Sequence, residues 1–281
     1  MIDLHTHSNF SDGTDTPTVL LNKAMASGLT TLALTDHDTV AGWQEATDHL
    51  RPGLSLVLGS EISCQSADGI SVHMLGLLFD HNNEALMSMM ERTRENRIGR
   101  MHKIIARLNG AGFEVTITDV EAQLSPGATL GRPHLADALI AKGYMKSREQ
   151  VFAELLYNDS PYYVSHYSPT PEVAIGLIKD AGGVAVIAHA MSSLRGRVVS
   201  PASFESYVQA GLDGIEVYHR DHTLENQELL GGIADQFNLC KTGSSDYHGN
   251  GKLNLLAEFH TAPAEFEKLE ARASARRVIK R

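Results

Sequence analysis

Short apolar runs recur along the chain at residues 1–4, 31–35, 55–58, 72–79, 184–188, 214–217 and 239–242, and each is closed by polar residues. Runs of this length, apolar at consecutive rather than alternate positions, match strands buried on both faces, as in parallel sheets. Between them lie helix-like stretches, such as 17–27 before Gly28 and 171–181 before Gly182-Gly183, where glycine suits the residue that ends a helix. This alternation predicts an α/β barrel, and 281 residues are enough to bury one sizeable core.

The alternation breaks after Phe79. Residues 84–109 read as one long helix with Met101, Ile104, Ile105 and Leu108 on one face, and a second helical pattern follows at Leu135, Ala136, Leu139 and Ile140. No clear buried strand is expected between 100 and 165. The expectation is a barrel built from residues 1–99 and 166–281, with residues 100–165 inserted as a helical subdomain capping its mouth.

The bulk numbers exclude several classes. No segment approaches the roughly 20 apolar residues needed to span a bilayer, so no membrane partner is expected. The N-terminal Met-Ile-Asp-Leu-His has neither a basic start nor an apolar core, so no secretory signal is expected. Only Cys64 and Cys240 are present, and they read as buried thiols in a reducing cytoplasm rather than as a disulfide framework. A formal charge of −10 argues against a duplex-DNA surface, which needs rows of Lys and Arg. The charge is uneven: residues 92–148 carry ten basic and five acidic side chains, leaving 14 basic and 29 acidic elsewhere. No obligate protein partner is evident.

Metal-ligand residue types cluster where the strands end. His5 and His7 follow the first run, and residues two apart on extended chain point the same way, so both imidazoles can reach one ion. Asp36-His37-Asp38 follows the second run, Glu61 the third, His73 lies in the fourth and His189 closes the fifth. Asp246 and His248 form another pair two apart after the last run. Strand ends converge on one face of a barrel, and imidazoles and carboxylates are costly to bury unless paired or metal-bound. By contrast His49, His81, His102, His166 and His260 fall in polar or helical stretches and read as surface residues, and Arg195 and Arg197 read as surface loop. His219 and His222 follow a further strand and stay undecided.

The stretches Asp3-Leu4-His5-Thr6-His7, Thr35-Asp36-His37-Asp38, Ala188-His189 and Ser245-Asp246-Tyr247-His248-Gly249 resemble, in order, the four motifs of the polymerase and histidinol phosphatase (PHP) family. The resemblance spans the whole barrel. It implies a distorted (β/α)7 barrel and a site for two or three divalent cations: one at His5, His7, Glu61 and Asp246, a second at Asp12, His37 and His248, a third at Glu61, His73 and His189. Asp12 stands where some members carry histidine, and a carboxylate leans toward harder cations such as Mn²⁺ than toward Zn²⁺, so Mn²⁺ is preferred, with Zn²⁺, Mg²⁺ and Fe²⁺ as the alternatives. The length, the insertion and Gly131-Arg132-Pro133-His134 resemble the small bacterial branch that acts on nucleoside 3′,5′-bisphosphates and on 5′ ends of short RNA.

What the resemblance implies is a metal-dependent phosphatase that removes a phosphate monoester from a small nucleotide, by in-line attack of a metal-bound hydroxide. Asp12, His37 and His248 would align the second ion, with Asp246 on the first. Three carboxylates against three divalent cations leave an anion-attracting pocket within an acidic protein. Arg132 and His134, at a helix start, with Arg100 and Lys103, are the expected contacts to a second phosphate. Asp38, His219, His222 or a metal-bound water are left open as proton donors to the leaving oxygen. The alternatives are a histidinol-phosphate phosphatase, whose amine would call for an acidic pocket, and a metal hydrolase of C–N or lactone bonds, which would not need the basic insertion. A non-enzymatic regulatory barrel would have an eroded ligand set, whereas every position here is filled.

Overall fold

The computed structural model describes residues 1–158, 160–165, 167–193 and 196–281; His166 and Arg195 lie outside them. Seven strands follow one another around the sheet in chain order: β1 (Ile2–Asp3), β2 (Thr31–Leu34), β3 (Ser55–Gln65), β4 (Ser71–Leu77), β5 (Val184–Ala188), β6 (Gly214–Tyr218) and β7 (Cys240–Gly243). A parallel bridge between Thr6 and Tyr247, with the His7 N–H donating to the Tyr247 carbonyl at 2.8 Å, joins the last strand's extension to the first's. The result is a nearly closed distorted barrel. A short β8 (Ile279–Lys280) pairs with the outer edge of β3.

One strand departs from the expected parallel arrangement. β4 runs antiparallel to both β3 and β5, in register Ser63 to His73 and His73 to Ala188. The reason is chain length: only residues 66–70 separate β3 from β4, closed by a turn in which the Gly69 N–H donates to the Ser66 carbonyl. A parallel return needs a crossover of about a dozen residues or more. The same hairpin extends β3 seven residues past Leu58, so that Glu61 lies inside a strand and not at its tip.

Helices α1 (Pro17–Ala26), α2 (Trp43–Asp48), α7 (Pro171–Asp180), α8 (Ser203–Gln209) and α9 (Leu224–Gln236) lie between barrel strands in the chain, and α10 (Pro263–Arg272) follows β7. The Thr16 and Thr170 hydroxyls cap α1 and α7, each with proline at the first helical position, and Gly28 and Gly182 leave them with positive φ. Successive strand residues point to opposite faces, which divides the core in two. Leu32, Leu34, Leu56, Leu58, Ala185 and Ile187 pack with helix residues such as Leu20, Ile178 and Leu230. Ala33, Val57, Leu75, Val184 and Val186 fill the other face, closed by Phe266 and Leu269 of α10.

The long helix α3 (Glu84–Gly110) leaves the barrel and leads to α4 (Ile117–Glu121), α5 (Arg132–Ala141) and α6 (Arg148–Glu154). These bury a third cluster, with Met101, Ile104 and Leu108 of α3 against Leu135, Leu139 and Val151. Among the described residues no helix is long and apolar enough to cross a membrane. Cys64 and Cys240 are both buried and unbonded to each other.

Gly59 sits where β3 passes from its parallel to its antiparallel partner. A Cβ there would lie 2.7 Å from Leu77 Cδ2 and 2.8 Å from the Gly76 carbonyl, and the Gly59 carbonyl accepts the Trp43 indole N–H at 2.9 Å. Gly59→Ala is therefore expected to cost about 1–3 kcal/mol by overpacking, read as a lower urea midpoint; an unchanged midpoint would show that the two strands can part here without cost.

Candidate metal centre

Each strand of the barrel delivers at least one polar side chain to a common centre. Past β1, Thr6 turns away and donates its hydroxyl to the Ala33 carbonyl at 2.6 Å, which leaves His5 and His7 on the same side. Their Nε2 atoms lie 3.1 Å apart. The Glu61 carboxylate is the hub. Its Oε2 lies 3.2 Å from His5 Nε2, 3.0 Å from His7 Nε2 and 3.2 Å from His37 Nδ1. Its Oε1 lies 2.6 Å from His73 Nδ1 and 3.0 Å from His189 Nε2.

Two further carboxylates complete the cluster. Asp246 Oδ1 is 3.3 Å from His5 Nε2 and 3.4 Å from His7 Nε2. Asp12, on the loop after His7, has Oδ1 at 3.1 Å from His248 Nε2 and Oδ2 at 3.8 Å from His37 Nε2. All nine residues expected as ligands are thus brought together. Three sets of donor atoms each fall within 4.8 Å of one another: His5, His7, Glu61 and Asp246; His7, Asp12, His37 and His248; and His37, Glu61 and His73. The first matches the expected grouping, the second adds His7, and the third takes His37 where His189 was expected.

The donors fit divalent cations. His37 Nδ1, Glu61 Oε2 and His248 Nε2 are buried and make no hydrogen bond, a state that buried polar atoms rarely tolerate without an ion or a water. Imidazole and carboxylate together suit metals of the Mn, Fe and Zn type. Burial pushes His37 well below the usual imidazole range and His248 down to about 4, the latter helped by His7 and Lys252. Both are then neutral, as ligation requires. Burial also opposes the charge on Asp12 and Glu61, yet the surrounding imidazoles hold both well below the carboxylate range. For His7 burial works downward, but Asp246 and Glu61 outweigh it and raise it to about 9.

A second set of side chains orients the first, and sequence reading missed it. Glu216 on β6 places Oε1 3.1 Å from His5 Nδ1, while Oε2 accepts the His189 N–H at 2.6 Å, at a residue with φ +32°. Asp36 accepts from the Ser8 N–H and both the Ser8 and Ser11 hydroxyls, and Ser11 Oγ lies 3.3 Å from His7 Nδ1. Lys252 Nζ donates to Asp246 Oδ2 at 2.9 Å. A signal for Glu216 was present: it is a carboxylate inside the apolar run Gly214-Ile215-Glu216-Val217, which a buried strand does not carry without a partner.

Of the three side chains left open as proton donors, Asp38 and His222 have other duties. Asp38 receives Arg97 at 2.6 Å and the Ser63 N–H at 2.9 Å. His222 uses both ring nitrogens on backbone groups, at Val217 and Met191. His219 is wholly buried, with Nε2 3.8 Å from Asp246 Oδ2. Of the expected phosphate contacts, Arg100 and Arg132 line a cavity of about 810 Å³ that also opens on Asp12, His37, His73 and His189. Lys103 is exposed in a separate surface depression, beside Glu95 and Tyr167. His134 is buried, with Nδ1 accepting the Gly131 N–H at 3.1 Å as a helix cap. Arg97 and Arg148 also line the cavity and were not expected. His49, His81, His102 and His260 are exposed, as expected.

Comparisons with known proteins agree with this geometry. Residues 3–151 match the profile of the PHP domain. The chain is 35% identical over 252 residues to a 3′,5′-nucleoside bisphosphate phosphatase of Chromobacterium violaceum, covering 89% of this chain and 88% of that protein. It is 34% identical over 264 residues to a phosphoribosyl 1,2-cyclic phosphate 1,2-diphosphodiesterase of Eggerthella lenta, covering 88% and 94%. A crystal structure from Bifidobacterium adolescentis, described as that of a metal-dependent phosphoesterase on similarity, superposes with a TM-score of 0.92 at 41% identity, covering 97% of this chain and 96% of that one.

Because His7 is raised to about 9, it holds a proton at neutral pH that a cation must displace. Cation binding is therefore expected to release protons at about pH 7 and to tighten as pH rises toward 9; calorimetry in buffers of different ionisation enthalpy reads this directly, and zero net release would contradict it. Glu216→Gln keeps the shape but removes the charge beside His5, and a loss of about 10–100-fold in Mn²⁺ affinity is expected. Unchanged affinity would reduce Glu216 to a packing role.

Proposed function

We propose, from the premise that the chain belongs to the PHP family of metal-dependent phosphoesterases, that it removes one phosphate from a small nucleotide carrying a second phosphate, as in a nucleoside 3′,5′-bisphosphate. One observation carries the reading. A single cavity joins the histidine and carboxylate cluster to a wall bearing the guanidinium groups of Arg97, Arg100 and Arg132.

In this reading His5, His7, Asp12, His37, Glu61, His73, His189, Asp246 and His248 hold the cations, with Mn²⁺ favoured by the carboxylate that Asp12 places where some family members carry histidine. Divalent cations held by these residues would supply Lewis-acid charge and lower the pKa of water toward about 7. Lys252 adds positive charge at the cavity wall while holding Asp246. The insertion of residues 100–165 closes over the reacting phosphate and supplies the opposite wall.

That wall is built for an anion. Arg132 lies between the rings of Phe152 and Tyr163, 5.6 and 5.9 Å from their centroids, and donates to the Leu156 carbonyl and to Asn158 Oδ1. Arg100 lies over the same Tyr163 ring, 5.2 Å from its centroid. Burial pushes both below the usual guanidinium range, and for Arg100 the neighbouring Arg132 adds to it. Neither makes an ion pair with an acidic side chain among the described residues, whereas Arg97 is balanced by Asp38. Positive charge held by aromatic faces, half-buried and without a counter-ion, favours a phosphate over an amine-bearing substrate.

A second reading takes a cyclic phosphodiester of a phosphorylated ribose, and the similarity to the Eggerthella lenta enzyme supports it. Hydrolysis of an adenosine 3′,5′-bisphosphate, a 3′-monophosphate, a phosphoribosyl cyclic phosphate and a 5′-phosphorylated oligoribonucleotide with Mn²⁺ ranks the candidates. Arg132→Ala and Arg100→Ala are each expected to raise KM for the bisphosphate about 10–100-fold, the worth of one charge-assisted hydrogen bond, with a small effect on the monophosphate. Equal losses on both substrates would remove the second-phosphate site.

A further inference from the structure

The loop carrying Asp12 is not held by the barrel alone. On one side, Asp36 fixes Ser8 and Ser11. On the other, the helical insertion grips three residues of the loop. Ser125 Oγ accepts from Asn9 Nδ2 at 3.0 Å, the Thr129 N–H donates to the Phe10 carbonyl at 2.9 Å, and Arg148 Nη1 donates to the Asp12 carbonyl at 3.1 Å.

Arg148 also reaches the segment that carries His248. A Cβ built on Gly251 would collide with Arg148 Nη1, so glycine at 251 is what admits the guanidinium. The Gly251 N–H in turn donates to the His248 carbonyl at 3.2 Å, and the Thr14 N–H donates to the same carbonyl at 3.1 Å. The guanidinium cannot wander, because its Nε and Nη2 are clamped bidentately by Asp137 of α5 at 2.7 and 2.6 Å. One side chain of the insertion thus meets the Asp12 carbonyl and the Gly251 backbone that holds the His248 carbonyl, and the Asp12 and His248 side chains lie 3.1 Å apart.

We infer that Arg148, set by Asp137, is a positioning residue for the cation taken by Asp12, His37 and His248, so that the helical insertion and the occupancy of that one position are coupled. The inference rests on the metal-centre reading above. Among the described residues Glu61 and His5 receive no hydrogen bond or ion pair from α4, α5 or α6, and the grip reaches the position they share only indirectly, through His7, whose Nδ1 lies 3.3 Å from Ser11 Oγ on the held loop. Coupling is reciprocal: whatever orders the insertion tightens that position, and a cation there orders the insertion.

The test measures cation binding apart from turnover. Wild type, Arg148→Ala and Gly251→Ala are titrated with Mn²⁺, with bound metal counted after equilibrium dialysis. Both variants are expected to weaken one equivalent by about 10–100-fold while the remaining metal binds as in wild type. Arg148→Lys, which keeps the charge but not the planar fork, is expected to recover only part of the loss. In wild type, added Mn²⁺ is expected to slow amide exchange in residues 125–148, a readout that needs no variant to fold. Variants that lower thermal stability but bind every equivalent as wild type would make Arg148 a packing residue only. Unchanged exchange in 125–148 would likewise overturn the coupling. Wild type that binds no Mn²⁺ would overturn the metal-centre reading itself, a distinct failure.

Discussion

The Glu61 carboxylate is the interaction on which the site depends. Five imidazoles from four strands or their extensions close around its two oxygens within 3.2 Å. A charge this deeply buried is unfavourable unless it is matched by opposite charge or bound cation, so the ends of β1, β2 and β5 and the start of β4 converge on it. The hairpin makes this placement possible. Because β3 continues through its antiparallel pairing with β4, Glu61 is held by strand hydrogen bonds on both sides, with His37 bridged to it on one edge and Leu75 opposite on the other.

The reversed strand has a second effect. In a barrel with every strand parallel, ligands come from one rim. Here β4 enters from the other direction and presents His73 near its start, while its neighbour β5 ends at Ala188 in register with it and presents His189 next. Both reach the same Glu61 oxygen. Residues with positive φ mark the points where the chain turns sharply to aim ligands, at His189 and Asp246, and the Glu216 bond to the His189 N–H shows what holds one of them in place.

Charge is distributed on two length scales. The chain as a whole is acidic, at −10, yet the cavity faces its centre with cations on the protein side: Arg97, Arg100, Arg132, Arg148 and Lys252. These guanidiniums are not equivalent. Arg97 and Arg148 are tied to Asp38 and Asp137 and act on the protein itself, whereas Arg100 and Arg132 lean on aromatic rings and keep their charge for the cavity.

Much of this was legible in the residues. Apolar runs marked the seven barrel strands because a buried strand needs apolar side chains on both faces, and eight of the nine candidate ligands stood out because costly polar groups gathered at or near the strands' ends, Asp12 coming from the family resemblance. The direction of β4 was hidden within a pattern that reads the same either way, although the five-residue connection carried the information. The partners of Arg97, Arg148 and Glu216 were not readable, since each depends on which group remote in the chain lies within 3.5 Å: Glu216 meets His5 across 211 residues and Arg148 meets Asp12 across 136. Sequence by itself determined which residue types had to be gathered and on what kind of scaffold, because burial and ligand chemistry are properties of side chains. Only the tertiary structure decided which of the basic residues face the cavity and which brace the ligands, because that choice is made by distance between segments remote in the chain.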